Sequence, residues 1–237
     1  VLVGDSAGKP RFDFTGTLPA AWPRITLLSE GALFPLGFGL DYSARAGDWA
    51  MLPELDTKSL AGDSRVWLNA GTPAARWSLM LTGTDGEVET RVTTLPAEAL
   101  GGRMRVTAEN YKVQEGAKRF AITGGNASVQ LGNLDGVDVA REANGDVMLL
   151  VTLRSWHAPA KARIGATGPG SRGFAEIALP VSQGYIRYGI PLKCLRDKGA
   201  DVAKLTRPFV LETEGKADFA IAEVRLGSDA EAVLPCR

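Results

Sequence analysis

Met148 to Trp156 reads MLLVTLRSW, and taking every second residue separates it into two sets. Leu149, Val151 and Leu153 share one face, while Leu150, Thr152, Arg154 and Trp156 share the other. A period of two belongs to a β-strand, whose successive side chains point to opposite sides of a sheet. RMRVTAE, Arg103 to Glu109, reads the same way, with Met104, Val106 and Ala108 opposing Arg103, Arg105 and Thr107. Further strand-like runs lie on either side of these two. They are Trp77 to Thr82, Glu87 to Thr94, Ala127 to Leu131, Lys161 to Ala166, Tyr185 to Leu192, Pro208 to Thr213 and Phe219 to Leu226, with the run around Met148 starting at Asp146 and ending at Arg154.

About nine strands suffice for two packed sheets, so the predicted fold is all-β, an antiparallel β-sandwich. Helix is expected only in short connections, around Asp201 to Leu205, where the aspartate can cap a turn. GPGSRG, Gly168 to Gly173, follows no strand-to-helix pattern of a phosphate loop and reads as a long flexible loop. Trp67 and Trp77 lie in apolar strand-like runs and are expected in the core. No internal repeat of ~20 to 50 residues is visible.

Composition narrows the function classes. The chain has 237 residues and 45% hydrophobic content, ordinary for a protein that builds its own core. Twenty-seven basic residues balance twenty-seven acidic ones, so no global field favours nucleic acid or an anionic membrane. No apolar run approaches the ~20 residues of a membrane-spanning helix. Two cysteines, Cys194 and Cys236, are too few for a disulfide framework. Cys194, in the apolar run IPLKCL, reads either as a buried thiol packed as a small hydrophobe or as half of a bridge to Cys236. With the lone His157 they lack the ligand spacing of a metal site, so neither a metal nor a cofactor is expected.

The first 43 residues have a different character. FTGTLPAAWPR, Phe14 to Arg24, is followed by LFPLGFGLDY, Leu33 to Tyr42, where Gly37 and Gly39 alternate with Phe38 and Leu40. Such glycines let a backbone pass close to a neighbour while the apolar residues between them bury. Short strands are expected at Val1 to Val3 and Arg11 to Phe14, around the turn-prone DSAGKP. Ser43 to Arg65 shows neither period and reads as a linker that includes Trp49.

These two N-terminal stretches resemble the end of the second catalytic domain of family 3 glycoside hydrolases, where a GKLP…WP segment precedes PLFPFGYGLSY. Three later segments resemble the C-terminal module of the bacterial ExoP-type exo-β-glucanases of that family: Val137 to Arg154, Ile190 to Thr213 and Phe219 to Gly227, with Val113 to Phe120 fitting the same pattern. The resemblance implies three parts. Residues 1–43 are the tail of an α/β catalytic domain, 44–65 a linker, and 66–237 a galactose-binding-like jelly roll of the kind shared by many carbohydrate-binding modules. It also implies that the catalytic domains of the same polypeptide are partners, and that the protein is periplasmic or secreted, any export signal lying upstream.

The resemblance places an aspartate nucleophile on a barrel and a glutamate acid/base on the second domain, and no segment here matches either motif. Most glycoside hydrolysis needs such paired carboxylates. Glu54 with Asp56 and Glu87 with Glu89 read as solvated faces, so no catalytic residue is expected in this chain. A sugar-binding face is the remaining possibility. Trp156 and Arg154 share one strand face, and Tyr185 and Arg187 share the outer face of another; the four form a shallow platform where those strands are neighbours. Aromatic rings take the flat C–H side of a sugar and arginine forks take its hydroxyls, which points to β-glucan oligosaccharides. The same residues also suit the plain surface of a domain that only braces its catalytic neighbours. A free-standing sugar-binding protein is a third reading, disfavoured by the hydrolase-like N-terminal residues.

Overall fold

The computed structural model describes residues 4–9, 11–12, 16–23, 32–34, 36–39, 65–83, 89–112 and 114–236. The chain divides into two compact units, Val1–Leu55 and Asp56–Arg237. In the first, β1 (Trp22–Pro23) pairs antiparallel with β2 (Ala32–Phe34). The Leu18 amide donates to the Phe38 carbonyl at 2.8 Å, the Gly37 amide donates to the Leu18 carbonyl at 3.0 Å, and the Phe34 and Phe38 rings lie 4.7 Å apart. Gly39 is needed there, because a Cβ would sit 2.7 Å from the Gly16 carbonyl oxygen. Arg11 and Phe12 form a bend, not the expected strand; Val1 to Val3, Phe14, and residues 43–64 of the segment expected to be a linker, with Trp49, Glu54 and Asp56 among them, lie outside the described residues.

The second unit is a two-sheet sandwich. Its strands begin with β3 (Val66–Asn69), β4 (Thr72–Pro73), β5 (Ser78–Thr82), β6 (Thr90–Arg91), β7 (Ala97–Ala99), β8 (Met104–Tyr111), β9 (Gln114–Ile122) and β10 (Asn126–Gly132). After helix α1 (Ala140–Ala143) come β11 (Met148–His157), β12 (Lys161–Gly168), β13 (Ser171–Ile177) and β14 (Ile186–Pro191). Helix α2 (Leu192–Asp197) then precedes β15 (Arg207–Glu214), β16 (Ala217–Gly227) and β17 (Ala232–Val233). The small sheet runs β13-β12-β15-β10-β5-β6; the large one runs β17-β14-β11-β16-β9-β8-β7, with β3 on β16 and β4 on β3. All pairs are antiparallel except β14 with β17.

The period-two reading places the core. Leu149, Val151 and Leu153 point inward with Phe219, Ile221 and Phe120 of the large sheet, facing Leu79, Val129, Ile164 and Leu211 of the small one. Trp67 is fully buried and its ring lies 5.6 Å from that of Trp77. Phe120 and Phe219, register partners on β9 and β16, stack with centroids 5.4 Å apart.

Three local expectations are corrected. GPGSRG is no long loop: Gly168 pairs with Ser171, so Pro169 and Gly170 make a two-residue hairpin between β12 and β13, with Gly170 at φ +68°. Proline first and a left-handed glycine second is the pattern of a type II turn, which needs only two residues to reverse the chain. Asp201 caps a turn without a helix, its carboxylate accepting from the Ala203 amide at 3.1 Å. The helices lie instead at Ala140–Ala143 and Leu192–Asp197, the second taking over Leu192 from the predicted strand. Finally, of the strand expected over Glu87 to Thr94 only Thr90–Arg91 forms among the described residues. Cys194 and Cys236 are bridged, with Cα atoms 5.7 Å apart, so the bridge is the alternative that holds.

Candidate functional site

The outer face of the large sheet is built on small residues. Ala220 and Ala222 of β16 and Ala117 of β9 are buried and carry Tyr111, Trp156 and Tyr185 above them. Irregular register shapes this patch. Glu223 pairs with Thr152 but Ile221 pairs with Leu153, which leaves Ala222 as an extra residue on β16; Ser155 pairs with Phe219 and His157 with Asp218, which leaves Trp156 as an extra residue on β11. A bulge of this kind re-aims a side chain and sharpens the local twist.

Arg119 and Arg154 flank Ala220 as its register partners on either side. Both guanidinium groups lie over the Trp156 ring, at 4.3 and 4.6 Å from its centroid. Arg119 is itself held in a fork, its Nε donating to Asp218 at 2.8 Å and a terminal nitrogen donating to the other carboxylate oxygen at 2.7 Å, with Glu109 3.5 Å away. The hydrogen bond to Asp218 raises the Arg119 pKa further above its ordinary value. Arg154 differs: among the described residues its buried Nε has no hydrogen-bond partner.

Tyr185 enters from the segment before β14. That segment is tied to β11 by Ser182, whose amide donates to the Ser155 carbonyl at 2.9 Å and whose hydroxyl accepts from the Ser155 amide at 3.2 Å. The Tyr185 ring meets Tyr111 edge-on at 4.9 Å, and its hydroxyl is buried without a partner among the described residues. Burial pushes the phenol up to about 12, and the nearby Glu109 carboxylate pushes the same way. The folded pKa is thus above the ordinary ~10, so the stability it contributes is whole below pH ~10 and is lost as pH rises through about 12. A tyrosinate absorbance titration of the wild type minus Tyr185→Phe is expected to show one phenol ionising near that upper value. A difference curve centred near ~10 would contradict the burial described here.

Of the four residues singled out from sequence, the fold brings Trp156, Arg154 and Tyr185 into this cluster. Arg187 shares their face, opposite Thr152 on the paired strand, but is engaged elsewhere. It donates to Asp229 at 2.8 Å, and Asp229 also accepts from Arg225 at 2.6 Å, beside Glu223. Arg225 holds the Asp229 carboxyl below its usual range. Sequence reading missed Tyr111, Arg119, Glu109 and Asp218. Alternation across Ala117, Arg119 and Ala121 in β9 was the available signal for the first arginine. His157 is exposed and in register with Asp218, and among the described residues no three His, Cys, Asp or Glu side chains are grouped as metal ligands.

The two-sheet, largely antiparallel sandwich is of the galactose-binding-like class of domains. The match of residues 75–226 to the Exop_C model, described as galactose-binding domain-like, shows that the chain belongs to that family. Among solved structures it is similar to the extra C-terminal domain (X) of exo-1,3/1,4-β-glucanase (ExoP) from a Pseudoalteromonas species, at 17% identity and a TM-score of 0.56, over 73% of this chain and 99% of that one. It is also similar to the ExoP chain that includes the rest of that enzyme, at 21% identity and a TM-score of 0.57, over 97% of this chain and 29% of that one. The chain therefore spans less than a third of that enzyme's length. None of the curated proteins matches it.

Proposed function

We propose that this chain is the C-terminal part of a family 3 exo-acting β-glucan hydrolase and that its sandwich, residues 66–237 beyond a 44–65 linker, is a non-catalytic accessory domain that binds β-gluco-oligosaccharides weakly. The carrying observation is the outer-face cluster, in which three aromatic rings stand on an alanine floor beside the Arg154 guanidinium group. The half-buried rings suit the C–H face of a sugar, and the guanidinium group beside Trp156 suits its hydroxyls. The structural likeness over 97% of this chain, which reaches into Val1–Leu55, supports reading residues 1–43 as the tail of a catalytic domain. The Cys194–Cys236 bridge supports an exported, periplasmic or secreted protein, since such bonds persist in oxidising compartments.

A second reading, a domain that braces the catalytic domains without affinity of its own, is favoured by one observation. Two guanidinium groups already lie over Trp156, so a sugar must share that ring with them. Titration with laminari- and cello-oligosaccharides followed by NMR separates the two. An open face buries little of a sugar, so dissociation constants near ~1 mM, about −4.1 kcal/mol, are expected, with binding at this face lost in Trp156→Ala. No shifts at millimolar ligand, or equal binding by the variant, would favour the brace.

A further inference from the structure

The outer face of the small sheet carries a separate cleft of about 210 Å³. Its floor begins with Phe174, which pairs with Gly165 across β12 and β13. A Cβ on Gly165 would lie 2.6 Å from the Phe174 ring, so the ring lies down across bare backbone instead of standing off the sheet. Val210, in register with Gly165 on the other side and buried, continues the apolar floor. Gln130, in register with Val210, forms the far wall. Its Nε2 donates to the Thr82 and Ser128 hydroxyls at 3.0 and 2.9 Å, which fixes the amide and leaves Oε1 as an acceptor.

The carboxylates around this floor are ion-paired. Glu89 and Glu212 oppose Arg172 and Arg207. Arg207 donates to Glu89 at 2.9 Å through a terminal nitrogen while its Nε is buried without a partner. Arg163, bonded to Glu212, and Arg172 lie 5.0 and 5.6 Å from the Phe174 centroid, farther out than the pair over Trp156. Both carboxylates are thus taken up by ion pairs, Glu89 with Arg207 and Glu212 with Arg163, which leaves no free carboxylate for a cation and one further guanidinium group, Arg172, as a hydrogen-bond donor. A ligand that presents one apolar face, and hydroxyls that both donate and accept, matches the Phe174 ring, the Gln130 amide oxygen and the Arg172 guanidinium group together.

We propose that this cleft is a second binding site, for a single neutral pyranose ring of a saccharide. It lies on the sheet opposite Trp156, so the sandwich presents saccharide-binding surfaces on both outer faces and can hold two glycan segments at once, a source of avidity.

The test is an NMR titration of the whole isotope-labelled chain with glucose, laminaritriose and cellotriose in turn. The Gly165 and Phe174 amides and the Gln130 side-chain amide are expected to shift and saturate by tens of millimolar ligand, and to do so unchanged in Trp156→Ala. Phe174→Leu keeps an apolar cover over Gly165 but removes the ring face, and is expected to weaken binding at least about fivefold. No movement of these signals with any of the three sugars, or wild-type binding by Phe174→Leu, would overturn the proposal. Shifts confined to the Trp156 face would overturn it and leave the first site standing; shifts confined to the cleft would do the reverse.

Discussion

Replacing Cys236 with serine is expected to lower the stability of the sandwich by about 2–4 kcal/mol. The bridge to Cys194 closes a loop across 42 positions, and removing it returns that loop's freedom to the unfolded chain. It also frees the strap it holds. β17 pairs with β14 through Ala232 and Val233, the Leu234 amide donates to the Gly189 carbonyl at 2.8 Å, and Ala230 crosses so close to Gly189 that a Cβ there would lie 2.6 Å from it. At roughly 2–4 °C per kcal/mol for a domain of this size, the midpoint of thermal unfolding should fall by about 5–15 °C. A reductant should lower the wild type to the same value and leave the variant unmoved. Superimposable melting curves for wild type and variant would show that the bridge contributes nothing.

Truncating Phe219 to alanine is expected to cost about 3–5 kcal/mol, the range for a buried aromatic whose cavity cannot collapse. Phe219 is fully buried, stacks on Phe120, and sits in β16, which has β9 on one side and β11 on the other. Its chain neighbours Asp218 and Ala220 anchor Arg119 and floor the outer cluster, so the loss should also loosen the candidate site. Chemical denaturation of the two proteins measures the first effect. A loss below about 1 kcal/mol would contradict a close-packed centre at this strand.

The inward face of the sandwich was legible because burial repeats with the pleat. Leu149, Val151 and Leu153 alternate with Leu150, Thr152 and Arg154, and a slip of one residue would bring Arg154 into the core. β9 and β13 were harder to see. β9 carries charged Lys118 and Arg119 side by side, and β13 follows a glycine-rich turn, so neither shows a clean alternation over its length. On the candidate site, sequence paired Arg154 with Trp156 because both lie two apart on one strand. It missed Arg119 and Asp218, which are 99 positions apart and meet only because β9 and β16 are neighbours.

What the sequence determined by itself is therefore local: which residues alternate into strands, which turn, which face inward, and which family the segments resemble. Tertiary structure alone decided which strands are neighbours, where the bulges at Ala222 and Trp156 re-aim the face, and that Arg187 is bonded to Asp229 while Arg154 lies over the Trp156 ring. The physical reason is range. The pleat and its burial pattern act between residues two apart, whereas cross-strand register joins residues tens of positions apart through loop closure and backbone pairing that no short stretch encodes.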